Sequence, residues 1–118
     1  MANSILKSKS FAFAIWVVRL YQYLRAHKQE FVLSKQLLQS GTAVGAMVRE
    51  AAYVESKADF IHKLAIAQKE INEALYWLEL LTSTDYLTST QARSIHNDAV
   101  ELLKILISSI KTAKSSLH

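Results

Sequence analysis

The chain has no cysteine and no proline, and only two of its 118 residues are glycine. Without cysteine it has no disulfide framework and no thiolate metal site. Without proline the strongest helix breaker is missing, and two glycines supply too few tight turns for a β-sandwich of this length. Also missing is a run of about 20 apolar residues, the length a membrane span requires. One apolar stretch, Phe11 to Val18 (FAFAIWVV), follows Lys7 and Lys9 and has the length of a secretory leader's apolar region. Arg19 follows at once, however, with no small-residue cleavage site behind it. The stretch therefore reads as a buried helix, and the chain as cytoplasmic, with no membrane among its partners.

What the chain does contain is hydrophobicity in helical register. Hydrophobic residues make up 51%, enough at this length for one domain whose core needs neither disulfide nor metal. Four periodic segments, near 10–27, 34–55, 57–82 and 89–114, predict an all-α fold. Short polar links make successive helices antiparallel, so the expected architecture over residues 1–118 is a single up-down-up-down four-helix bundle. In the first segment Phe11, Ala14, Ile15, Val18 and Tyr21 form one stripe, and Phe13, Val17, Leu20 and Leu24 form a second beside it. A helix apolar over so much of its circumference needs cover on more than one side. A small bundle covers one side, so a second copy of the chain is the expected cover for the other. Phe13, Trp16, Val17 and Leu20 are the candidate interface residues for that homo-oligomer.

The second segment carries Gly41 and Gly45 in a row of small residues at helical spacing. An interior glycine costs about 1 kcal/mol relative to alanine. Either a neighbouring backbone approaches closely there, or Gly41 marks a turn between two shorter helices; the continuous helix is the preferred reading. The third segment opens on Ser56, with Asp59 three residues on, the spacing of an N-cap. The fourth starts near residues 88–90 and ends with Lys111 and Lys114, where cations favour the negative helix end.

No catalytic constellation emerges. The serines fall at caps, tails and helix surfaces, and no histidine stands in a context of nucleophile and base. A bundle di-metal site needs two Glu-x-x-His pairs on facing helices. The chain offers one distant imitation, Asp59 and His62, and the carboxylates Glu50, Glu70 and Glu73, which more often pair with neighbouring cations. Gly41-x-x-x-Gly45 is not a phosphate loop. The expectation is a non-enzymatic protein with no cofactor and no metal.

Charge is distributed more tellingly. The net charge is +4. In an up-down bundle, residues 1–18, 45–70 and 103–118 share one end. That end holds Lys7, Lys9, Arg49, Lys57, Lys63, Lys69, Lys104, Lys111 and Lys114 against Glu50, Glu55, Asp59 and Glu70, a balance of +5, which leaves −1 for the other. A basic end of this kind suits a polyanion. Lys7, Lys9, Lys57, Lys63, Lys111 and Lys114 are the candidate contacts to RNA or DNA, with no aromatic platform apparent among them. The competing reading is that these lysines serve only helix dipoles and solubility, in a structural assembly or protein-interaction module with an unidentified protein partner.

SGTAVGAMVREA (residues 40–51, closed by Ala52) and SKADFIHKLAIAQKEINEALYWLELL (residues 56–81) bring a family into view. With KSFAFAIWV near Ser10 and SSIKTAK at residues 108–114, nearly the whole chain resembles the 23S ribosomal RNA intervening-sequence proteins. The order Phe60, Ala67, Lys69, Glu70, Glu73, Trp77, Leu78 is the specific part. The resemblance implies an up-down bundle that assembles into a ring, commonly a pentamer. It extends to the accessory proteins of diversity-generating retroelements, basic pentameric barrels that bind nucleic acid and a reverse transcriptase. It implies no catalytic residue. The family name describes where some of its genes sit, not an activity. Where relatives often read SGTSIGANI, this chain has Ala43, Val44 and Met47, which removes a serine and an asparagine from the second helix.

Overall fold

The computed structural model describes residues 2–116; Met1, Leu117 and His118, which the single-domain reading also covers, lie outside the described residues. Four helices, α1 (Ala2–Lys28), α2 (Leu33–Ala51), α3 (Lys57–Ser83) and α4 (Ser89–Ser115), form the expected all-α bundle. Each helix meets the next in sequence, and α4 closes back on α1. The result is a rod 51 Å long and 21 by 19 Å across.

Two helix boundaries differ from expectation. α1 starts eight residues early because Leu6, one heptad before Phe13, is fully buried and anchors the first turns. Ser8 and Ser10 do not interrupt it: their hydroxyls donate back to the carbonyls of Ile5 and Lys7. α2 stops at Ala51, four residues before the expected end. Its last turn tightens there, with the Ala52 and Tyr53 amides donating to the carbonyls of Arg49 and Glu50. Ser56, extended at φ −127° and ψ 156°, then accepts from the Asp59 amide and starts α3 as an N-cap. α4 opens on a reciprocal capping box between Thr88 and Gln91. The Gln91 amide nitrogen also donates to the Tyr23 hydroxyl and ties this end of α4 to α1.

The turn between α1 and α2 is built around a carboxylate. Gln29 takes the left-handed conformation (φ 56°), and the Glu30 amide donates to the Leu24 carbonyl, which closes the C-terminus of α1. The buried Glu30 carboxylate then accepts from the amides of Val32, Leu33 and Ser34 at 3.2, 3.0 and 2.7 Å, capping α2. Burial alone would raise the Glu30 pKa, but those donors outweigh it and hold the carboxyl below its ordinary value. Substituting a helix cap costs about 0.5–2 kcal/mol, so Glu30 is a substantial part of what fixes this turn.

The core runs the length of the rod. Leu6, Phe13, Val17 and Leu24 of α1 meet Leu37, Val44 and Val48 of α2, Leu64, Ile71 and Leu78 of α3, and Ile95, Leu102 and Leu106 of α4. Each such side chain contributes about 1.5–3 kcal/mol by leaving water. Among the described residues every buried side-chain nitrogen or oxygen has a hydrogen-bond partner.

α2 is continuous through Gly41 and Gly45, but the group that crowds Gly41 is a side chain and not the neighbouring backbone expected. A Cβ on Gly41 would stand 2.7 and 2.8 Å from the two methyls of Val17, whereas one on Gly45 would come no nearer than 3.4 Å to its neighbour, the Ser10 carbonyl oxygen. Val17 is fully enclosed and stiff about χ1, so it cannot swing aside. Gly41→Ala should therefore lower the melting temperature, because overpacking costs about 1–3 kcal/mol against about 1 kcal/mol gained in helix propensity. Gly45→Ala should be neutral or stabilising. Thermal melts of the two variants that moved in the same direction would contradict this account of the α1–α2 crossing.

Candidate nucleic-acid interface

The N-termini of α1 and α3 and the C-termini of α2 and α4 come together at one end of the rod, as the charge count requires. The six candidate lysines there are not equivalent. The Lys9 ammonium pairs with Glu101 at 2.9 Å, and that of Lys63 with Glu50 at 2.9 Å. Lys57 donates to the Ser116 hydroxyl at 2.7 Å. Exposed pairs of this kind contribute about 0–1 kcal/mol, but they do neutralise two of the six. Lys7, Lys111 and Lys114 are exposed and make no ion pair or side-chain hydrogen bond among the described residues. These three are the charges left for an outside partner.

Sequence reasoning missed a cleft at the same end. It lies between α1, α2 and α3, has a volume of about 280 Å³, and is lined by Leu6, Lys7, Val48, Arg49, Ala52, Tyr53, Phe60 and Leu64. Two cations and no carboxylate stand on its rim. The Arg49 guanidinium is held 5.0 Å above the Phe11 ring, a cation–π contact that fixes its position. Tyr53 is 84% exposed. The expectation of no aromatic group among the basic residues is thereby corrected. Because α2 ends at Ala51, Tyr53 falls in the α2–α3 turn beside Lys7 and Arg49. The signal available in the sequence was Tyr53, four residues after Arg49 and three before the Ser56 cap that ends the second segment.

The candidate assembly face also needs correction. Phe13 and Val17 are 1% and 0% exposed and belong to the bundle's own core, so they are not interface residues. Leu20 is half-buried against that core. Trp16, 48% exposed, does lie outside, together with Phe11 at 52% and Ile15 at 45% from the stripe that had been assigned inward. The two flanks of this outer face differ. Phe11 lies on the α2 side beneath Arg49. Trp16 lies on the α4 side, where it lines a groove of about 250 Å³ with Leu20, Tyr23 and Leu87. Ala43 and Met47 are half-buried, and Met47 packs against the core, so these positions are spent on packing here.

Among the described residues no three His, Asp or Glu side chains come together as a metal site. Glu73 instead accepts from the Trp77 indole at 3.3 Å. No described helix is long and apolar enough to cross a membrane.

The comparisons agree with this architecture. No curated protein matches the chain. A crystal structure from Bacteroides thetaiotaomicron, a protein of unknown function from the S23 ribosomal protein family, is 53% identical with a TM-score of 0.93. The match covers 94% of this chain and 99% of that one. The family model for 23S rRNA-intervening sequence proteins matches residues 2–108. By fold, by sequence and by nearly its whole length, the chain belongs to the 23S rRNA-intervening sequence protein family.

Proposed function

We propose that this chain is a non-enzymatic, homo-oligomeric protein that binds nucleic acid through the phosphates, at its basic end. The observation that supports this best is the segregation of charge, +5 at one end and −1 at the other, with Lys7, Lys111 and Lys114 uncommitted. Assembly has a separate support in the outer face of α1, where Ile15 and Trp16 would otherwise stand in water. A head-to-tail contact through this face that closes makes a ring. The stoichiometry that the resemblance implies is five. Five copies would carry about +20 in total and gather their basic ends on one rim. Such a field acts over about 8 Å at physiological salt.

The test is binding of labelled RNA and duplex DNA by the wild type at two salt concentrations, with the mass in solution measured by light scattering. Expected are a closed oligomer and an affinity that falls steeply between about 50 and 200 mM salt. An oligomer that binds neither probe at low salt would leave the chain as an assembly module only. A stable monomer at micromolar concentration would remove the ring as well.

A further inference from the structure

We infer that the cleft at the basic end is a pocket for one unpaired nucleobase of a single strand, stacked on Tyr53 with its flanking phosphates on Lys7 and Arg49. The inference rests on the basic-end reading and narrows it from any polyanion to one with a free base. Three features of the cleft are needed together. Its floor is apolar, with Leu64 and Phe60 at the base, which suits a flat ring and offers nothing to a hydrated ion. Its rim carries two cations on different helices and no carboxylate, so an anion attached to that ring is attracted and not repelled. Its volume, about 280 Å³, lies just under the range of about 300–1,000 Å³ typical of small-molecule sites, and so suits one ring system and not a longer ligand.

Preorganisation strengthens the case. Arg49 is already held against Phe11 and loses little freedom on meeting a phosphate. Tyr53 is among the most exposed large side chains of the molecule, and its hydroxyl makes no hydrogen bond among the described residues. A ring left in water beside two free cations is the arrangement by which proteins hold single strands irrespective of sequence. In a duplex the bases are stacked and paired, so a duplex has no ring to offer this cleft and reaches only the lysines around it.

The experiment compares Tyr53→Ala and Tyr53→Phe with the wild-type protein on two probes at about 50 mM salt. The probes are a labelled oligothymidylate and a labelled DNA duplex of the same length, read by fluorescence anisotropy. Tyr53 is exposed, so circular dichroism should be the same for all three proteins. Stacking of one base on an aromatic ring is expected to make Tyr53→Ala weaker on oligothymidylate by about tenfold or more. Tyr53→Phe should restore it, and duplex binding should not change. Oligothymidylate binding that survives Tyr53→Ala, or a loss equal on both probes, would overturn the pocket and leave the basic end standing. Failure of the wild type to bind either probe would overturn both.

Discussion

A lysine in place of Phe13 is expected to unfold the chain, whereas a lysine in place of Ile15, two residues on, should leave the helices intact and break the oligomer. The two positions differ by about 200° around α1. Phe13 lies in the core with 1% of its surface exposed, on the helix that packs between α2 and α4. Removing a buried phenylalanine ring costs about 3–5 kcal/mol, and burying an unpaired ammonium adds several kcal/mol more. Against a total stability of about 5–15 kcal/mol for a domain, that sum is decisive. Ile15 is 45% exposed and touches solvent in the monomer, so a charge there costs the fold little. If the face is covered by another copy, the same charge would be trapped in the interface. Phe13→Lys should show lost helical ellipticity at 25 °C, and Ile15→Lys a wild-type spectrum with the mass of a monomer by light scattering. A folded Phe13→Lys, or an Ile15→Lys with the wild-type mass, would contradict the assignment of these faces.

That contrast also marks where the sequence stopped being informative. Helix count and order were legible because four periodic apolar segments are separated by short polar links. α1 has two stripes of similar strength, and periodicity cannot choose between them. The choice is made by length: Leu6 and Leu24 extend the Phe13–Val17 stripe over the whole helix, while the Phe11–Ile15 stripe is confined to its middle. Starting α1 at residue 10 hid Leu6 and with it the deciding residue. The cap at Ser56 was legible because serine at a helix start is an ordinary solution. Glu30 was not, because it caps α2 from outside the first turn, through a backbone path set by a left-handed Gln29. The basic end was legible as a count, since antiparallel order alone places the lysines. Which of them remain free was not legible, because Lys9–Glu101 joins helices separated by ninety-two positions. The cleft escaped for the same reason: three helices and one turn contribute to it.

Glutamine at Lys7, Lys111 and Lys114 together is expected to weaken binding to RNA and duplex DNA alike and to flatten its salt dependence. Among the six candidate lysines these three make neither an ion pair nor a side-chain hydrogen bond to a described residue, so each is available to a phosphate. Each contact to a B-DNA phosphate releases a condensed counterion and steepens the log–log salt dependence by about 0.9. Losing three contacts in a chain should therefore reduce the slope by up to about 2.7, and more in an assembly where several copies touch one strand. The matched control is Lys28→Gln, Lys35→Gln and Arg93→Gln at the opposite end, which removes the same charge from the molecule as a whole. Arg25 is unsuited to that control: its guanidinium lies over the Tyr21 and Phe31 rings and donates to the Tyr21 hydroxyl, so its loss would disturb the α1–α2 turn. If net charge were all that mattered, the two triple variants would weaken equally. A place of binding requires that only the first set lowers both affinity and slope, with helical content and oligomer mass unchanged in both. Equal behaviour of the two sets would remove the basic end as the site, whatever the wild type binds.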